Sequence, residues 1–259
     1  MTPTEYRSGN VVEVFSGIQG EGTHVGRRHL FLRLAGCPMG CRYCDQPEAR
    51  TTPPRARIET RPGSRTFSTL RNPVSTDALV RALQRVRGRK DLHNALAITG
   101  GEPLVQAGFL EEFLPAARQL GLPVFLETNG TLPDALDALL PNIEIVSMDI
   151  KLRSATGHPM PLQQHERFLR QAVCSGTETI AKAVITSTTT RAEIGRVAAL
   201  IARVAAQVPL VLQPVTPIKP HGGPRPPRPD DVLVFQDIAL RRIRDVRVIP
   251  QTHKLIGQR

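Results

Sequence analysis

From about residue 75 onward, apolar positions alternate between a helical and an extended period. Residues 75–88, STDALVRALQRVRG, repeat at helical spacing and predict an amphipathic helix with Ser75 or Thr76 as N-cap and Gly88 as stop. Residues 94–99, NALAIT, form a short apolar run that predicts a buried strand. The alternation continues with a helix at 106–121, kinked or ended by Pro115, and a strand at 123–128. A short helix follows at 132–141 with Pro133 near its start, then a strand at 143–150 and a helix at 162–174. The last units are a strand at 178–186, helix 190–208, strand 209–215, helix 230–242 and strand 245–250. Short apolar strands separated by helices predict an α/β fold of βα units, with a parallel sheet and right-handed crossovers.

Two segments break this rhythm. Residues 50–74 are rich in Pro, Arg and Thr and predict an inserted arm or hairpin. Residues 214–229 hold seven prolines and predict a stiff loop at the C-terminal end of a strand, where α/β proteins place ligand loops. The chain of 259 residues is expected to form one domain around these two irregular segments.

Composition narrows the function classes. A hydrophobic content of 40% supports a sizeable core and excludes disorder throughout. No apolar run has the ~18–20 residues of a membrane helix. The first residues lack the basic-then-apolar pattern of a secretory leader, so a cytoplasmic location is expected. Aromatics are 4% with no Trp, which argues against binding single strands by stacking. The formal net charge is +11, and residues 50–90 carry eleven Lys or Arg against only Glu59 and Asp77. Most of the excess lies away from the strand ends, so it predicts a solvated basic face able to dock an acidic electron donor.

The candidate chemistry centres on residues 33–49, RLAGCPMGCRYCDQPEA. Cys37 and Cys41 are separated by three residues, Cys41 and Cys44 by two, and Cys174 is remote. Three clustered thiols do not form a disulfide framework; they suit an iron–sulfur cluster or zinc in a reducing compartment. A zinc site would take His24 or His29 as its fourth ligand, making the chain a basic nucleic-acid-binding module. Cys174, near the end of a predicted helix, reads as a structural thiol. Polar groups fall at successive strand ends: Thr99-Gly100-Gly101-Glu102-Pro103, then Glu127-Thr128-Asn129-Gly130, Ser147-Met148-Asp149-Ile150-Lys151 and Gln213-Pro214. Together with the cysteine loop they would occupy one rim of a partial barrel.

The C-x3-C-x2-C loop resembles that of the radical S-adenosylmethionine (SAM) enzymes, and Gly100-Gly101-Glu102-Pro103 resembles their GGEP motif. The resemblance implies a partial (β/α)6-type radical SAM barrel with parallel strands. It also implies a 4Fe–4S cluster on Cys37, Cys41 and Cys44, with SAM on the fourth iron. Residues 15–23, FSGIQGEGT, and 248–257, VIPQTHKLIG, are similar to the first and last segments of the 7-carboxy-7-deazaguanine synthases. That family makes a deazapurine on the queuosine route from 6-carboxy-5,6,7,8-tetrahydropterin, with loss of ammonia.

By this resemblance Tyr43, Asp45, Gly101, Glu102, Asp149, Ile150, Lys151 and Gln213 would contact SAM, with Tyr43 and Gln213 near the adenine and Glu102 at the ammonium. Ile18, Gln19, Gly20, Thr99, Gln251 and His253 would line the substrate pocket, and Arg33 would pair with the pterin carboxylate or remain a strand-surface charge. The family also implies Mg2+ beside the Cys-Asp pair, where Gln46 stands in place of the usual Thr or Ser. Its amide oxygen can ligate a hard cation through a longer stem. The implied partners are the small-molecule pterin, a flavodoxin or ferredoxin donor and a second copy in a homodimer. Neither a membrane nor direct nucleic-acid contact is implied. Another radical SAM enzyme, such as a glycyl-radical activase or a peptide or RNA modifier, would share the cluster loop but not the QGEG and QTHK segments.

Overall fold

In the computed structural model, which describes residues 7–217 and 223–258, ten strands form one sheet. The chain enters through β1 (Ser8–Gly9), β2 (Val11–Ile18) and β3 (Arg28–Leu34). After the cysteine loop come β4 (Arg55–Glu59), β5 (Phe67–Arg71) and β6 (Val74–Ser75), the last paired with β1 outside the main sheet. Helix α1 (Thr76–Arg87) is capped by the Ser75 hydroxyl, which accepts from the Ala78 amide, and is followed by Gly88 at φ +63°. One face buries Leu79, Val80, Leu83 and Val86, as its period requires.

The repeating units are β7 (Ala95–Gly100) with α2 (Ala107–Ala117), then β8 (Val124–Thr128), then β9 (Ile145–Asp149) with α3 (Arg153–Thr156) and α4 (Leu162–Cys174). They continue with β10 (Glu178–Ile185) and α5 (Arg191–Ala205), β11 (Leu210–Pro214) and α6 (Pro229–Leu240), and end with β12 (Val246–Val248) and α7 (Thr252–Leu255). The sheet order is β12-β11-β10-β9-β8-β7-β3-β2-β4-β5, and every pair from β3 through β12 is parallel.

Several expectations are corrected. The predicted helix at 132–141 is instead two 3-10 turns, Pro133–Ala135 and Leu140–Asn142. Pro133 begins the first turn and Pro141 is the second residue of the other, and Leu136 and Leu139 reach the core without a continuous helix. Helix α2 stops at Ala117, two residues past Pro115, and gives way to a 3-10 turn at Arg118–Leu120. The sheet is not wholly parallel: β2 runs antiparallel to β3, and β4 to β5.

The arginine-rich segment forms a β4–β5 hairpin on the edge of the main sheet. Ala56 and Ile58 join the core while the outer strand keeps its arginine exposed. Of the proline-rich loop, residues 218–222 lie outside the described residues; its returning end is tied down where the Ser187 amide donates to the Arg225 carbonyl at 2.8 Å. No described helix is long and apolar enough to cross a membrane.

The β2–β3 connection positions the site. After β2 the chain crosses the barrel lumen, so that Gln19 reaches Glu127 of β8, Glu21 reaches Lys182 of β10, and His24 reaches Glu178 at the start of β10. A sheet that would otherwise be an open half-barrel thereby acquires a floor.

Candidate active site

Above that floor, the C-terminal strand ends surround one open cavity. Its wall carries Cys37, Cys41, Tyr43, Cys44, Asp45 and Gln46 from the cysteine loop. Thr99, Gly100 and Gly101 follow from β7, Glu127 to Asn129 from β8, Ser147, Asp149 and Lys151 from β9, and Gln213 from β11. Ile18 to Glu21 form the floor, and Gln251 and His253 close the side from the C-terminal segment. Most sequence-predicted site residues therefore meet at one place.

The cysteine loop is held by backbone contacts. The Glu102 amide donates to the Gly36 carbonyl at 2.7 Å, and the Gly101 amide to the Leu34 carbonyl at 3.1 Å. A Cβ on Gly101 would collide with the Gly36 and Ala49 carbonyls and with Cys37, so only glycine lets the two loops pack. Burial pushes the Cys37 and Cys41 thiols up, and each feels the charge of neighbouring cysteines.

Asp149 and Lys151 pair at 2.7 Å, the Lys151 ammonium donates to the Tyr43 hydroxyl at 2.9 Å, and that hydroxyl donates to Asp149 at 3.3 Å. Burial would depress Lys151, but Asp149 and Tyr43 outweigh it and raise it well above its ordinary value. Gln251 donates to Glu21 at 2.7 Å and to Asp45 at 3.3 Å, and Lys254 pairs with Asp45 at 3.1 Å. The Thr252 amide donates to the Gly20 carbonyl at 3.0 Å, and His253 packs so closely on Gly20 that a Cβ there would overlap its ring. Gln19 and Thr99 both donate to Glu127 at 2.7 Å, yet burial and the nearby Glu21 still raise that carboxyl.

Two expected contacts fall elsewhere, and a third residue is already engaged. Glu102 is fully buried behind the wall, where it accepts from the Leu104 amide, the Thr128 hydroxyl and the Asn129 amide. Its carboxylate ties β7 to β8 and does not face the cavity, in place of the expected approach to the SAM ammonium. Ile150 is a core residue with no exposure, because the strand's alternation turns it away from Asp149 and Lys151. Arg33 lines the cavity, but its guanidinium is paired with Glu13 at 3.1 Å.

Sequence reasoning did not single out several charged cavity residues, among them Glu21, Arg50, Lys182 and Lys254. Glu21 stood within the quoted QGEG segment. Lys182 is a charge inside the apolar run TIAKAVI, which is the signal that could have found it.

The residues fit a cluster with a polar ligand. Three thiols line one wall, and three buried polar atoms of the lining residues, Asn129 Nδ2, Asp149 Oδ1 and Gln213 Oε1, have no partner in the described protein. Such atoms await a ligand with both donors and acceptors. A single zinc ion fits poorly: among the described residues no three His, Cys, Asp or Glu converge on one point. His24 and His29 pack against Phe125 beneath the floor, not beside the thiols.

A parallel half-barrel with a C-x3-C-x2-C loop at its C-terminal rim defines a radical SAM enzyme, and residues 32–172 match the Radical SAM superfamily. The cofactors are accordingly a 4Fe–4S cluster and SAM. A 7-carboxy-7-deazaguanine synthase of Geobacter sulfurreducens is 41% identical over 95% of this chain and 96% of its own, and one of Methanopyrus kandleri is 33% identical over 95% and 93%. The crystal structure of QueE from Escherichia coli superposes with a TM-score of 0.58 at 19% identity, covering 96% of this chain and 98% of that one, a likeness of fold. The chain belongs to the 7-carboxy-7-deazaguanine synthase family of radical SAM lyases.

Proposed function

We propose that this protein converts 6-carboxy-5,6,7,8-tetrahydropterin to 7-carboxy-7-deazaguanine with loss of ammonia, a step toward queuosine. The observation that carries this reading is the meeting of the QGEG floor and the QTHK segment over the same cavity as the cluster thiols. When bound, the cluster supplies the electron that cleaves SAM and so starts hydrogen abstraction. Cys37, Cys41 and Cys44 would hold it. Tyr43, Asp149 and Lys151 form a rigid ionic patch beside it, and Asn129, Asp149 and Gln213 offer unpaired polar atoms for the SAM head and base.

On the opposite side, Gln19, Thr99 and Glu127 form a preorganised polar edge for a flat heterocycle with amide and amino groups. Arg33, held by Glu13, presents a cation to the substrate carboxylate. Mg2+ enters the reading through Gln46, which lines the cavity beside Asp45. The reading also carries a flavodoxin- or ferredoxin-type donor, a homodimer and a cytoplasmic location.

The deciding experiment incubates anaerobically reconstituted protein with the carboxytetrahydropterin, SAM and a reductant, with and without Mg2+. Formation of 7-carboxy-7-deazaguanine is expected, with Cys44→Ala losing both the brown absorption and the product. Cleavage of SAM to 5′-deoxyadenosine without any deazaguanine would replace this reading by another radical SAM reaction.

A further inference from the structure

We infer that Lys182 is a positioning residue that locks the two halves of the cavity together, holding Glu21 of the floor in register with Asp149 of the SAM side. Which half takes which ligand rests on the function proposed above. The geometry itself does not.

Lys182 lies in the middle of β10, opposite Asp149 of β9. Its neighbours Ala181 and Ala183 point into the core, while Lys182 and Val184 line the cavity. A lysine there is costly, since its side chain is only 11% exposed, and an apolar residue would satisfy the sheet equally well. It is retained between two carboxylates. Its ammonium pairs closely with Glu21 and lies 3.7 Å from Asp149. Asp149 in turn holds Lys151 and Tyr43, and Glu21 accepts from Gln251. One cation thus joins the floor, β9, the cysteine loop and the C-terminal segment.

The charge state of Glu21 depends on this arrangement. Burial alone would raise its carboxyl, but the Lys182 ammonium, the Gln251 amide and the charge of His253 bring it down to about 2. The ionised Glu21 in turn helps to raise Glu127 on β8, and beyond Gln251 stand Asp45 of the cysteine loop and Lys254 of the C-terminal segment. Without Lys182, only the Gln251 amide and the charge of His253 would remain to oppose burial at Glu21.

The test compares wild type, Lys182→Met, Lys182→Gln and Lys182→Arg as reconstituted holoenzymes, each checked for iron content and SAM binding. Both neutral variants should raise the pterin KM by about tenfold or more with a smaller change in kcat, because a half-buried carboxylate has lost its partner. The acidic limb of kcat/KM should move to higher pH, since Glu21 then keeps only Gln251 and His253 against burial. Lys182→Arg should recover most of both. The carboxyl infrared band that disappears in Glu21→Gln reads the same titration without substrate, so it decides the inference even if wild type makes no deazaguanine and the function above fails. An unmoved Glu21 titration in both neutral variants, or a Lys182→Arg variant as impaired as Lys182→Met, overturns the proposal.

Discussion

The segment that crosses the lumen has two faces, and they solve the burial of ionisable groups in opposite ways. Its upper face carries Gln19 and Glu21 into the cavity, where charge is kept and matched by Lys182. Its lower face packs His24, with His29 of β3 beside it, on Phe125, and at His29 charge is suppressed. His29 has no exposure, neither ring nitrogen has a hydrogen-bond partner in the described protein, and burial together with His24 and Arg27 lowers its pKa to about 4. Keeping a charge costs desolvation but leaves a field that a ligand can use. Suppressing it costs only the loss of hydrogen bonds to water and leaves the barrel end inert.

The largest effect that would break this comparison lies on the upper face. Glu21→Leu strands the Lys182 ammonium with Asp149 already engaged by Lys151, and should destabilise the fold by about 2 kcal/mol, less than a fully buried pair because Glu21 is partly exposed. Adding Lys182→Met should return most of that loss, since an apolar pair of similar volume avoids the desolvation of both ions. Urea unfolding of the two variants measures both. A double variant no more stable than Glu21→Leu would mean that shape, not charge, holds the floor.

The lower face gives a smaller, pH-dependent effect. Unfolded, His29 takes a proton near its ordinary 6.5, whereas folded it resists until about 4. Between those values the unfolded chain binds more protons, so stability is lost as the pH drops, by up to about 3 kcal/mol, and is fully present only above the upper value. His93 and His165, also lowered to about 4 chiefly by burial, add losses of the same sign. His29→Leu should flatten this limb and change stability at neutral pH by less than about 1 kcal/mol, because it removes two unpaired ring nitrogens along with some packing. Unfolding midpoints between pH 4 and 8 test this, and an unflattened limb would show that His29 is not kept neutral.

These two faces also explain what the sequence disclosed. The rim was legible because its chemistry sits at strand ends, where Thr99, Glu127, Asp149 and Gln213 interrupt apolar runs at predictable places. Side-chain direction was less legible. Glu102 and Ile150 belong to the right loops but face the wall and the core, which depends on backbone angles that no spacing reveals. The floor was the least legible part. Its role comes from a connection that crosses the lumen to β8 and β10, contacts more than a hundred residues away in sequence. Lys182 therefore looked like one charge in a strand, and the helix expected at 132–141 gave way to proline-containing turns.

The smallest effect is expected where the lower face meets solvent. His24 Nε2 lies 2.8 Å from Glu178, and the glutamate side chain is 55% exposed while the histidine is nearly buried. An ion pair with one partner in water is worth little, because solvent screens the attraction and holding the exposed side chain costs entropy. Packing of His24 on Phe125, with ring centroids 5.2 Å apart, remains whatever happens to the carboxylate. Glu178→Gln keeps an acceptor for His24 and should change stability by less than about 0.5 kcal/mol, with pterin KM unaltered. Urea unfolding at low and high salt reads the difference. A loss above about 1 kcal/mol that salt reduces would show that charge also secures the underside of the floor, and the contrast between its two faces would fail at its outer edge.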